Sequence, residues 1–179
     1  MMMRPIPPRR ARPSPKEIVM PATATLEIGQ TAPDFKLKGP GGQFVSLSEY
    51  LGNKNVVLVF YPLAFSAVCS HQLPAIEKQR PKLEDLDATV LGVSIDSHFA
   101  NEAFARQMGV GFPLLSDFKH EVSQAYGVFD PQKGHSGRAV FVIDRQGRVA
   151  YKDISPAPGD MSQIPSLDAV IDALRKLKK

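Results

Sequence analysis

From Thr25 onward the chain alternates short apolar runs with amphipathic stretches, the pattern of a parallel or mixed sheet covered by helices. Asn55–Tyr61 (NVVLVFY) is an unbroken run of mostly β-branched and aromatic residues, which suits a strand buried on both faces, and it reads as the central strand. Thr89–Ile95 (TVLGVSI) and Ala139–Ile143 (AVFVI) read the same way. Asp144-Arg145-Gln146-Gly147 makes a tight turn into Arg148–Ile154, so the last two strands form an antiparallel hairpin. Helical patterns occupy roughly Ala67–Arg80, Phe99–Met108 and Lys119–Tyr126. A fourth, Leu167–Leu177, sets Leu167, Val170, Ile171, Leu174 and Leu177 on one face. Ser166 is placed to cap its start, and Arg175, Lys176, Lys178 and Lys179 sit at the negative end of its dipole. The expectation is one α/β domain over residues 25–179, without internal repeats.

Residues 1–24 break this pattern. They hold six of the sixteen prolines and four of the six methionines, with no apolar periodicity to offset the entropy of ordering, and read as a Pro/Arg-rich disordered tail. The tail also changes the meaning of the net charge of +4, because Arg4, Arg9, Arg10, Arg12 and Lys16 stand there against Glu17 alone. The rest of the chain balances at 17 basic and 17 acidic residues. A balanced body lacks the clustered basic field that a nucleic-acid groove or an anionic membrane surface requires, so neither partner class is expected. There is no apolar stretch of roughly 18 residues and no signal-peptide core near the N-terminus, and the expected compartment is the reducing cytoplasm.

The chemistry rests on few residues. With one cysteine, Cys69, no internal disulfide is possible, and His71, His98, His120 and His135 show no metal-ligand spacing; no cofactor or metal is expected. The segment Phe60-Tyr61-Pro62-Leu63-Ala64-Phe65-Ser66-Ala67-Val68-Cys69 leaves the buried strand and enters a helix, which puts Cys69 in or near a first helical turn. Unpaired N–H groups and the positive dipole end favour an anion there, and an ordinary thiol is only about 3% thiolate at pH 7. The competing reading is a small buried hydrophobe, the commoner fate of a lone cysteine after an apolar run. Pro62 and Ser66 shift the balance: a proline can shield the thiolate, and a serine hydroxyl can donate to sulfur or to a bound oxygen, or else cap the helix.

The spacing Pro62-x-x-x-Ser66-x-x-Cys69 resembles the peroxiredoxin signature. The resemblance continues through Ile28-Gly29-Gln30-Thr31-Ala32-Pro33-Asp34-Phe35, which is similar to the family's opening segment, and through Gly137-Arg138-Ala139-Val140-Phe141-Val142-Ile143-Asp144, similar to the strand that bears its active-site arginine. It implies a thioredoxin-like fold, a central mixed sheet flanked by helices, and thiol-dependent reduction of hydrogen peroxide or organic hydroperoxides. Cys69 would attack the distal peroxide oxygen and become a sulfenic acid. Ser66 would hydrogen-bond sulfur and substrate, Arg138 would favour the thiolate and stabilise the breaking O–O bond, and Pro62 would limit water. The backbone N–H of Cys69 could donate to the substrate oxygen. A homodimer is implied as well.

The sequence departs from the family at two places. Gln72 stands where the family commonly has Glu, three residues after the cysteine, which puts the support of any second arginine in doubt. Pro74 occupies a position where some relatives carry a resolving cysteine, and none follows near the C-terminus. The chain is most similar to the one-cysteine, alkyl hydroperoxide reductase E-like group, whose reductant is an external thiol: a thioredoxin-like protein or a low-molecular-weight thiol. His71, two residues from Cys69 on one helix, faces elsewhere and makes a poor general base; the other three histidines read as ordinary surface or loop residues. Two alternatives stand beside this reading. One is a non-catalytic thioredoxin-fold binding or chaperone module. The other is a thiol–disulfide oxidoreductase, which Cys69-Ser70-His71-Gln72 serves badly for want of a second sulfur.

Overall fold

A computed structural model describes residues 25–178; the expected tail over 1–24 and the terminal Lys179 lie outside them. In chain order the elements are β1 (Lys36–Lys38), β2 (Phe44–Ser46), β3 (Asn55–Phe60), α1 (Ala67–Glu84), β4 (Ala88–Ser94), α2 (His98–Met108), β5 (Leu114–Ser116), α3 (Glu121–Ala125), β6 (Phe129–Asp130), β7 (His135–Ser136), β8 (Ala139–Ile143), β9 (Val149–Ile154) and α4 (Leu167–Leu177). Seven of the strands form one mixed sheet in the order β2-β1-β5-β4-β3-β8-β9, and β6 pairs with β7 separately.

Alternation along the buried strands sends side chains to two cores. Val57 and Val59 of β3 and Val140 and Val142 of β8 meet Leu73, Ile76 and Leu83 of α1, Phe104 of α2, and Val170, Ile171 and Leu174 of α4. Val56, Leu58, Phe60, Phe141 and Ile143 point the other way, onto Val122 of α3, Tyr126, Leu47 and the segment holding Ala32 and Phe35. Every residue of β3 is buried, as its sequence demands. Its place is one strand from the middle, however: β4 is the midpoint of the sheet, because β1, β2 and β5 add three strands on that side. Those short strands were missed because runs of three residues carry too little alternation to read.

Two helices also differ from expectation. The α1 helix runs past Arg80 and Pro81 to Glu84, its last turn held by fully buried Leu83. The α3 helix starts at Glu121 rather than Lys119, because His120 takes a left-handed conformation (φ 63°) and the Asp117 carboxylate accepts the N–H groups of Val122 (3.0 Å) and Ser123 (2.7 Å). The α4 helix matches its expected span, with the Ser166 hydroxyl accepting from the Ala169 N–H at 3.3 Å.

The topology explains the placement of the site. Strands β3 and β4 are parallel, so their C-terminal ends lie together, while β8 runs antiparallel to β3 with Ala139 opposite Phe60. The residue before β8 therefore arrives beside the residues that follow β3.

Candidate active site

Beyond β3 the chain turns sharply. Phe65 has a positive φ of 64°, Ser66 is extended (φ −69°, ψ 148°), and α1 begins at Ala67. Cys69 is thus the third helical residue and lies in the first turn, as the sequence pattern leads one to expect. The Ser66 hydroxyl does not cap the helix; the Ser66 carbonyl accepts instead from the Ser70 N–H and hydroxyl, both at 2.9 Å. The capping role is absent, and the hydroxyl remains available to other partners.

A carboxylate missed at the sequence level fixes this turn. Asp96, just after β4, accepts the Ala64 N–H at 2.8 Å and the Ser94 hydroxyl at 2.9 Å. The buried Tyr61 hydroxyl donates to Asn101 at 2.8 Å, whose amide donates to the Leu115 carbonyl at 3.1 Å. Burial raises the Tyr61 pKa, outweighing an opposing contribution from Ser94 and reinforced by the Asp96 charge, so this ring stays neutral. Gly92 of β4 makes room for the arrangement, since a Cβ there would stand 2.5 Å from Leu114 Cδ2 and 3.4 Å from Tyr61 Cε1. The available signal was positional: Asp96 follows a strand parallel and adjacent to β3, at the end where ligands gather in such sheets.

Arg138, across 69 positions of sequence, brings its Nη2 to 3.3 Å from Cys69 Sγ. It is almost fully buried at 1% exposure, its Nε donates to the Pro158 carbonyl at 3.1 Å, and its Nη1 donates to the Gln72 side-chain oxygen. Gln72, noted in the sequence only as a departure, thus holds the arginine itself. Cys69 is completely buried. In front of Arg138 lies a hollow of about 660 Å³ lined by Pro62, Ser66, Val68, Lys133, His135 and Pro158, among others. Of the four candidate residues, Cys69 and Arg138 are in contact, while Pro62 and Ser66 share the wall of the hollow with Arg138. His135, read as an unremarkable loop residue, lines the same wall. His71 is exposed while Cys69 is buried, consistent with their facing apart. A buried thiol held by a guanidinium that itself lines an open hollow is suited to nucleophilic attack on a small polar substrate.

Residues 28–152 match the AhpC/TSA family. The chain belongs to that family. Among similar proteins, alkyl hydroperoxide reductase E of Mycobacterium tuberculosis is 42% identical over 138 residues, covering 76% of this chain and 90% of that one. The chloroplastic 2-Cys peroxiredoxin BAS1 of Hordeum vulgare is 35% identical over 138 residues, with 72% and 66% covered. The solved structure of Mycobacterium tuberculosis AhpC superposes with a TM-score of 0.75 at 30% identity, covering 87% of this chain and 95% of that one. The AhpC/TSA chain described here has the thioredoxin-like fold expected of it, and its family makes it a thiol peroxidase of the peroxiredoxin type.

Proposed function

We propose that this protein reduces hydroperoxides by a one-cysteine mechanism at Cys69. As thiolate, Sγ attacks the distal peroxide oxygen; the S–O bond forms as the O–O bond breaks. Sulfur gives up two electrons and becomes a sulfenic acid, and the departing alkoxide or hydroxide takes a proton and leaves as alcohol or water. Arg138 stabilises first the thiolate and then the charge on the breaking bond; the Ser66 hydroxyl and the Cys69 N–H hold the substrate oxygen. Pro62 keeps water from the sulfur. An external thiol then attacks the sulfenic sulfur and expels water, and a second thiol releases Cys69 from the mixed disulfide. The reducing thiols come from a thioredoxin-like protein or a low-molecular-weight thiol, because the chain has no second cysteine.

The observation that carries this reading is the 3.3 Å approach of the Arg138 guanidinium to a fully buried Cys69 sulfur. A binding module has no use for a buried guanidinium aimed at a thiol. An unpaired, unstapled cysteine also suits a reducing cytoplasm. For the homodimer, the supporting feature is a face where Phe44, Phe99 and Phe118 stand 54%, 71% and 69% exposed around a hollow flanked by Lys36, Lys38 and Lys119. So many exposed aromatic rings mark an interface, and we assign it to a second copy of the chain. Sedimentation should show a dimer that Phe99→Glu dissociates; a wild-type monomer contradicts the assignment. Peroxide consumption with dithiothreitol as reductant tests the enzyme itself. Wild type should turn over and Cys69→Ser should not; turnover in the variant, with its melting transition retained, would sink the proposal.

A further inference from the structure

A buried positive charge needs a negative partner, and Arg138 lacks the usual one. Among the described residues its guanidinium forms no ion pair with a carboxylate. Leaving such a charge uncompensated in the interior is strongly unfavourable. Its side-chain contacts are the Pro158 carbonyl, the Gln72 amide oxygen and Cys69 Sγ, and of these only sulfur can become an anion.

Gln72 lies three residues beyond Cys69 on α1, and is itself 3% exposed. At that spacing the two side chains share a helix face, so one guanidinium reaches both. Because a guanidinium is a donor only, the amide must present its oxygen to Arg138 and turn its nitrogen away. That nitrogen has no hydrogen-bond partner among the described residues. A glutamate in this place would accept the same bond from Arg138 without stranding a donor. The amide is therefore the locally poorer hydrogen-bonding choice, and what distinguishes it is its lack of charge.

We propose that Gln72 is a positioning residue that steers Arg138 onto Cys69 through a neutral acceptor, leaving the thiolate as the guanidinium's counter-ion. The inference rests on the peroxidatic reading of Cys69, but it concerns the thiolate itself and is testable without turnover. The other groups that face the sulfur or its approach are Tyr61 from the end of β3, and Lys133, His135 and Asp160 on the wall of the hollow. His71 and Gln72 line a separate apolar hollow. None of these groups changes when residue 72 is substituted, so a shift in the glutamate variant beyond that of a neutral variant reports the charge at that position.

The test is an ultraviolet thiolate titration of the full chain, with Cys69→Ser as the blank, on wild type, Gln72→Glu and Gln72→Met. In Gln72→Glu the carboxylate neutralises the arginine in place, and the thiolate titration should move upward by about one pH unit, a tenfold change in the thiolate-to-thiol ratio. Gln72→Met keeps the volume and adds no charge; its titration should move less, while its peroxide rate falls about tenfold because Arg138 is no longer steered. A Gln72→Glu titration that coincides with wild type, or moves no further than that of Gln72→Met, overturns the proposal. Should the glutamate variant fail to fold, an undiminished peroxide rate in Gln72→Met overturns it alone. A wild-type chain that consumed no peroxide would instead defeat the peroxidase reading and leave the titration comparison standing.

Discussion

Replacing Arg138 by alanine removes three donors at once: to Cys69 Sγ at 3.3 Å, to the Pro158 carbonyl at 3.1 Å, and to the Gln72 oxygen. Two losses of rate follow, and they can be separated. The first is ionisation. A thiol of ordinary acidity is about 3% ionised at pH 7, so even complete loss of thiolate stabilisation lowers the rate no more than about thirty-fold at that pH. The second is the developing charge on the breaking O–O bond, for which loss of one preorganised donor costs on the order of 100-fold to 1,000-fold. Only the first disappears when the solution is made alkaline enough to ionise an ordinary thiol. Stopped-flow oxidation of Arg138→Ala should therefore show a deficit that narrows from pH 7 to about pH 9.5 and then stops, about 100-fold or more below wild type. Arg138→Lys keeps a charge but cannot bridge sulfur and Gln72 as a planar fork does, and should fall between the two. The orphaned Gln72 and Pro158 oxygens should cost about 1–3 kcal/mol each, visible in thermal melts but insufficient to unfold the chain. An Arg138→Ala variant with unaltered rates at both pH values refutes the reasoning and leaves the arginine without a chemical role.

Asp96→Ala unpins the turn that carries Ser66 into α1, leaving the Ala64 N–H without its acceptor and the Ser94 hydroxyl with the Asn101 oxygen alone. Stability should drop by about 1–3 kcal/mol in urea titrations and the peroxide rate should fall with it; an unchanged rate would mean that the turn is held by other contacts. The pH dependence of stability follows from Tyr61 and Tyr126, whose burial raises both pKa values above the ordinary 10.0. Both rings stay neutral in the fold while the unfolded chain ionises above about pH 10, so their contribution is complete below that pH and is lost progressively as pH rises from there toward the raised folded values. Urea titrations should show stability falling above about pH 10, less steeply in Tyr61→Phe, and equal slopes would contradict the assignment.

The residues that bury most surface were the most legible in the sequence. Asn55–Phe60, Ala139–Ile143 and Leu167–Leu177 each declare themselves through long apolar patterns that only one kind of burial satisfies. The Pro62, Ser66 and Cys69 spacing was equally visible because it is local. Arg138 was reached only by family resemblance, since nothing in its immediate neighbours says that β8 will pair antiparallel with β3 and set Ala139 opposite Phe60. Asp96, Asn101 and the contact of Gln72 with Arg138 are products of that tertiary arrangement and were not legible. The third helix begins at Glu121, later than its pattern suggests, because the Asp117 carboxylate holds its first N–H groups, and the cap that Ser66 offers as a competing role is not made.

Peroxide should oxidise this chain at Cys69, in a single oxygen transfer. Intact-protein and peptide mass spectrometry after one equivalent of hydrogen peroxide tests it directly, with a sulfenic-acid trap present in a parallel sample. One added oxygen is expected on Cys69, captured as the trapped adduct, with a further oxygen added when peroxide is in excess and no reductant is present. Unmodified Cys69 after peroxide has been consumed would contradict it.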